Sequence, residues 1–311
     1  MRRFLLPLAL LLLLAGCAAP VVAPGTLPPS ATATASVTPF QPGAPSATPV
    51  PALAEQTPTP TSPPAKELVP NFAHIVILIF ENKEFGTVVG SPSMPIYNRY
   101  ADTYTLLTAY YAVSHPSLPD LIEKSGRSWK TYQERMPNPC YVGDTLHYVQ
   151  KHDPFIYFTP IRENAERCQR SIVPLTQLDT DLAAGSLPDF AFITPDICNS
   201  AHDCAISTAD IWMGNVLPKL QNYLDATSQP YLIVLTWDEG QGNHGCCGLP
   251  DNKAGGRVAT VLVSPQARAG FQDDTPYTSY SLLKTISFAW GLPYLGHAAD
   301  AQNALITAPW K

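Results

Sequence analysis

Four short apolar runs stand out along the chain: His74–Phe80 (HIVILIF), Phe190–Thr194 (FAFIT), Tyr231–Trp237 (YLIVLTW) and Val258–Ser264 (VATVLVS). None alternates apolar with polar positions, so each predicts a strand buried on both faces, as in a parallel sheet. Helical spacing lies between and after them. It covers Ile211–Leu224, with Pro218 as an internal break, and Ser279–Trp290, ended by Gly291 and Pro293. Strands interleaved with helices predict an α/β fold, with a mostly parallel central sheet covered by helices on both faces. The chain shows no internal repeat.

The first 67 residues follow a different pattern. Arg2 and Arg3 precede an apolar stretch, Phe4–Gly16, of 13 residues. A spanning helix needs about 20, so this length suits the core of an export signal. It closes on Leu14-Ala15-Gly16-Cys17, which resembles the lipobox of bacterial lipoproteins and predicts lipidation at Cys17. An ordinary cleaved signal is the alternative. Of the 33 prolines, 13 fall between Ala18 and Lys66, among Thr, Ala and Ser. Residues 18–67 therefore read as an extended, disordered tether unable to bury enough surface to fold. It would carry a globular domain at 68–311. The expected location is the bacterial cell envelope, lipid-anchored to a membrane and facing outside the cytoplasm. A net charge of −6 argues against a nucleic-acid partner.

Beyond Cys17 there are six cysteines, an even number that suits disulfides in an exported chain. The pairing expected is Cys140 with Cys168, Cys198 with Cys204, and Cys246 with its neighbour Cys247. A thiolate metal site is the alternative, without any C-x-x-C pair to support it.

Three of the apolar runs end in acids: Glu81-Asn82, Pro195-Asp196 and Asp238-Glu239. In open α/β sheets, sites form beyond the carboxyl ends of the strands. A single such acid most often caps a turn. Three on one edge repel one another unless a cation sits between them. The candidate metal ligands are Glu81, Asn82, Asp196, His202, Asp238, Glu239 and His244. Carboxylate and imidazole together suit a divalent ion: Zn, Mn, Fe or Mg. His244 rides a glycine-rich loop and His202 lies between Cys198 and Cys204; both are also readable as plain surface histidines. Ser114-His-Pro-Ser-Leu-Pro-Asp120 offers a nucleophile in Ser117 and a histidine in His115, or else a simple Ser/Pro loop.

Taken in order, Glu81-Asn82-Lys-Glu-Phe85, Ser-His-Pro-Ser-Leu-Pro, Pro-Asp-x-Cys-Asn-x-x-His-Asp-Cys and Thr-Trp-Asp-Glu-Gly resemble one family. It is the bacterial phosphoesterase family of acid phosphatases, phosphatidylinositol-phosphate phosphatases and phospholipase C-like enzymes, within the alkaline-phosphatase-like superfamily. The closing Tyr280-Ser-Leu-Leu-Lys-Thr-Ile and Gly291-Leu-Pro-Tyr-Leu-Gly-His297 extend the likeness across nearly all of 70–311. The resemblance implies metal-dependent hydrolysis of a phosphate ester through a phospho-enzyme. Glu81, Asn82, Asp238 and Glu239 would bind metal, and Asp196 and His202 would complete the site. Ser117 would be the nucleophile, with His115 contacting phosphate or acting as acid/base. One departure stands out. In the family an Asn-Tyr pair and an apolar helix follow the serine motif, whereas here Pro119-Asp120 runs directly into Leu121-Ile-Glu-Lys. The expectation is a surviving fold and metal site with impaired turnover.

Overall fold

The computed structural model describes residues 68–111, 117–248 and 254–311. The expected signal at 1–17 with Cys17, the tether at 18–67, and His115 lie outside the described residues. Among those described, no helix is long and apolar enough to cross a membrane.

The strands are β1 (His74–Phe80), β2 (Thr105–Tyr111), β3 (Trp129–Gln133), β4 (Ile172–Pro174), β5 (Phe190–Thr194), β6 (Tyr231–Trp237), β7 (Arg257–Val263), β8 (Gln272–Asp273) and β9 (Tyr277–Thr278). They form one sheet in the order β4-β3-β5-β1-β6-β7-β2-β8, with β9 beside β2. Helices flank it: α1 (Phe85–Val88), α2 (Pro95–Thr103), α3 (Pro119–Lys124), α4 (Thr159–Arg162), α5 (Ala165–Ser171), α6 (Thr176–Ala184), α7 (Ile206–Thr227) and α8 (Ser279–Ala289).

The sheet is mixed, which corrects the expected mostly parallel one. Strand β7 runs antiparallel to both β6 and β2. Its residues Val258–Val263 are all buried, so the apolar run carries no mark of direction. The connection sets the direction instead. A parallel return needs a crossover, usually a helix, and 238–256 holds no helix among the described residues.

Helix α7 also corrects the sequence reading, because Pro218 lies inside it without ending it. Proline forfeits one backbone bond. Burial of Met213, Leu217, Leu220 and Leu224 on the inner face offsets the loss. Gly214 of α7 lies against Ile96 of α2, where a Cβ would collide with the isoleucine side chain. The same contact caps α2 from outside. The Asp210 carboxylate accepts from the N–H groups of Ile96 (3.1 Å) and Tyr97 (2.8 Å). Met94 at the N-cap has no side chain able to do so.

On this face Phe80 and Trp237, paired in adjacent strands, lie tilted with centroids 5.1 Å apart and meet Trp212 and Tyr97 edge-on. The opposite face, carrying Ile77 and Ile79 of β1 with Phe190 and Phe192 of β5, looks toward α8 and the Phe155–Phe158 turn. The cysteines are bonded as expected: Cys140 to Cys168, Cys198 to Cys204 and Cys246 to Cys247.

Candidate functional site

Strands β5, β1 and β6 are adjacent and parallel, so the acids that follow them emerge on one edge of the sheet. Glu81 and Asp238 sit side by side because Phe80 pairs with Trp237 and the Asp238 N–H donates to the Phe80 carbonyl (2.8 Å). Asn82 takes a left-handed backbone conformation (φ 48°), which turns the chain sharply after the strand. Its N–H donates to Asp238 Oδ1 at 3.0 Å. Asn82 Oδ1 is buried without a hydrogen-bond partner.

Desolvation pushes both carboxyl groups up from their ordinary range. Glu81, 4% exposed, is pushed up to about 9, first by burial and then by the charge and hydrogen bond of Asp238; Lys151 opposes this. Burial also raises Asp238, against the backbone N–H of Asn82 and the Glu81 hydrogen bond, which favour its charged form. Between the two, their mutual interaction favours the neutral form at Glu81 and the charged form at Asp238. Glu239 is exposed at the surface end of the turn and is raised by burial and by Asp238.

His152, which the sequence reading missed, closes the other side. Its Nε2 lies 3.4 Å from Glu81 Oε2, poorly aligned for a hydrogen bond, and is buried without a partner. Burial lowers the imidazole to about 4, helped by the charges of Lys151 and His202. Both shifts weaken any ion pairing between the two groups. No sequence signal marks His152. It sits in a short 3₁₀ turn, Gln150–His152, away from any strand end.

Asp196 and His202 belong to the loop closed by Cys198–Cys204. Asp196 serves partly as a turn cap. Its Oδ1 accepts from the N–H groups of Cys198 (3.0 Å) and Asn199 (2.8 Å), and Oδ2 lies 3.7 Å from Arg135 Nε. Glu134, also missed from sequence, fixes this loop by accepting from the Asp196 N–H (2.9 Å) and Asn199 Nδ2 (3.0 Å). The loop reaches the acid pair through the Glu81 N–H, which donates to the Ser200 carbonyl (2.9 Å). His202 Nδ1 pairs with Asp203 Oδ1 at 2.7 Å, and its ring centroid is 5.3 Å from that of His152. His244 is exposed on the glycine loop. Ser117 precedes α3, and its Oγ is buried without a hydrogen-bond partner.

Among the described residues, no three His, Cys, Asp or Glu side chains are arranged to hold a metal as they stand. The chemistry of the acid pair nonetheless fits a divalent cation. A buried and a half-buried carboxyl, both pushed up by desolvation, with an amide oxygen and an imidazole nitrogen left unpartnered, are oxygen and nitrogen donors that suit positive charge. The side chains that fit are Glu81, Asn82, Asp238 and His152.

Relatives of this chain carry related names. A model of the Phosphoesterase family matches residues 117–293. A phosphate-repressible acid phosphatase of Penicillium chrysogenum is 32% identical, over 81% of this chain and 67% of its own length. An acid phosphatase of Aspergillus fumigatus is also 32% identical, over 64% of this chain and 51% of its own length. The chain thus spans about half to two thirds of the length of these relatives. A solved structure from Vibrio parahaemolyticus, described as a protein in the alkaline phosphatase superfamily, has a TM-score of 0.49 at 11% identity, covering 72% of this chain and 67% of that one. The Penicillium alignment runs to 291 positions, more than the 81% of this chain that it covers. Within that stretch the relative therefore carries residues that this chain lacks.

Proposed function

The chain belongs to the Phosphoesterase family, and on that premise we propose that it is a metal-dependent hydrolase of phosphate monoesters, similar in activity to the acid phosphatases. The observation that carries this reading is the Glu81–Asp238 pair, a buried and a half-buried carboxyl set side by side at neighbouring strand ends. Glu81, Asn82 and Asp238 would hold a divalent ion, with His152 turned toward Glu81. Glu239, Asp196 and His202 line the same edge or the loops that leave it and are assigned to the site by family resemblance; His244 is a candidate by its place on the glycine-rich loop. The cation, when bound, would offset the charge of the phosphate and favour ionisation of the attacking hydroxyl.

Ser117 is assigned as nucleophile. Its Oγ attacks phosphorus and loses its proton, and the substrate alcohol leaves and gains one. Water then cleaves the phosphoserine and releases phosphate. His115 is assigned to phosphate contact or proton transfer by its motif. An export signal, a lipid at Cys17 and a Pro-rich tether, as read from the sequence, would hold the proposed enzyme on the outer side of a bacterial membrane. The partners under this reading are a phosphate ester and the lipid surface.

The test is hydrolysis of a chromogenic phosphomonoester by the full chain, with and without chelator, beside Ser117→Ala and Asp238→Ala. Activity should fall at least about 100-fold in each case. Chelator-insensitive turnover, or turnover surviving Asp238→Ala, would overturn the metal reading. Turnover surviving Ser117→Ala would overturn the nucleophile. A second reading, ligand binding without turnover, is favoured by the residues missing relative to the Penicillium enzyme and by the direct run of Pro119 into Asp120. Phosphate binding without release from any ester would select it.

A further inference from the structure

A cavity of about 400 Å³ opens between the sheet and α8, beside the acid pair. Its floor is Ile77 and Ile79 of β1 with Phe190 and Phe192 of β5. These are central strands of the sheet, yet Ile79 and Phe192 are only half-buried. On the opposite face, Leu78 and Phe80 of β1 are fully buried. An α/β sheet normally covers both faces of its middle strands, so one face here is left partly open. Leu118, next to Ser117, also lines the cavity, and so does Asp238. The apolar helix that the family resemblance expects after Pro119, and that this chain lacks, would leave the chain at this point.

The walls define the chemistry of an occupant. Among the described residues no Lys or Arg lines the cavity, and apart from Asp238 its wall is mostly aliphatic and aromatic. The group that enters is therefore uncharged and apolar, with the phosphate left at the rim on the Ser117 side. Aromatic rings crowd the wall: Phe155 and Phe192 meet at 5.0 Å between centroids in an edge-to-face arrangement, and Phe155 and Phe158 at 6.3 Å. A cluster of this kind offers a further ring aromatic contacts that an alkyl chain does not make. The volume exceeds that of a single ring.

We propose that this cavity binds the alcohol portion of the substrate, and that this alcohol is a fused aromatic ring system. The proposal rests on the phosphoesterase reading for its substrate, but the cavity can be tested without catalysis.

The experiment compares 1-naphthyl phosphate with glycerol 2-phosphate as substrates of the full chain and of Leu283→Trp, which fills the cavity from α8. If that variant fails to fold, Ile286→Phe takes its place. The expected result is a KM for the naphthyl ester raised about ten-fold by the filling variant, with the glycerol ester KM changed less than about two-fold. KM values that move together, or that do not move, overturn the proposal. If neither ester is cleaved, the phosphoesterase reading fails, and calorimetry with 1-naphthol decides the cavity alone. Binding that the filling variant abolishes upholds an aromatic site, and absence of binding overturns it.

Discussion

Asp153 is wholly buried behind His152, and only one of its two carboxylate oxygens is partnered, accepting from the Phe155 N–H at 3.3 Å. Burial pushes it up to about 7 from an ordinary value near 3.8. The folded chain therefore keeps a proton there that the unfolded chain releases near pH 4. Stability from this group is full below pH 4, falls as pH rises toward 7, and stays lost above that. Asparagine keeps the cap and does not titrate. Asp153→Asn should thus gain on the parent between pH 4 and pH 8 by roughly 2–4 kcal/mol, read as a difference in thermal midpoints that grows with pH. A midpoint difference that is flat with pH would show that Asp153 is ionised in the folded chain. The same reasoning explains why His152 escapes a sequence reading. Its neighbours in space, Glu81 and His202, are far from it along the chain, and nothing within Gln150–Pro154 hints at either.

Glu84 ties the end of β1 to the loop that follows β6. Its carboxylate accepts from the Gly242 N–H and lies where side chains at Gly240, Gly242 and Gly256 would begin. Gly256 is the strictest of the three. It has a φ of +77°, and an added Cβ would lie 2.5 Å from Glu84 Oε1 and 2.8 Å from the Gly242 carbonyl oxygen. Gly256→Ala should cost about 2 kcal/mol or more, seen as a lowered midpoint in urea unfolding. An unchanged midpoint would mean the loop has room to move aside. Glycines spaced along 238–256 were legible as a flexible loop; that they form a seat for a carboxylate from another strand was not, because the seat exists only once β1 and β6 are paired. The elements themselves divide the same way. The positions of β1, β5 and β6 with the acids at their ends, and of β7 displaced by one residue, followed from apolar runs, whereas β2, β3, β4, β8 and β9 were not read from the sequence. The direction of β7 and the continuity of α7 through Pro218 were decided by connections and packing that no local pattern records.

Across the whole molecule, the three disulfides lie in connections rather than in strands. Cys140–Cys168 links the segment after β3 to α5, Cys246–Cys247 lies within the glycine loop, and Cys198–Cys204 closes the loop holding Asp196 and His202. The sheet gains its order from apolar burial and ladder pairing, which need no covalent help in a domain of this size. Reduction should therefore leave the core folded while loosening the rim. Far-UV circular dichroism is expected to stay near its starting value in dithiothreitol, while amide exchange in 197–204 speeds up at least about ten-fold. Collapse of the dichroism would show the bonds to be necessary for the core.

The Cys198–Cys204 closure also bears on how the protein is prepared. Its loop presents the Ser200 carbonyl to the Glu81 N–H and sets His202 beside His152. Thiol reductant added to a purification buffer would be a silent variable at the rim of the candidate site. A preparation made in the reducing interior of a host cell would start with those two sulfurs apart. Two laboratories holding the same sequence, one secreting it and one not, would then be handling different molecules, and a mass difference of two hydrogens per bond would tell them apart.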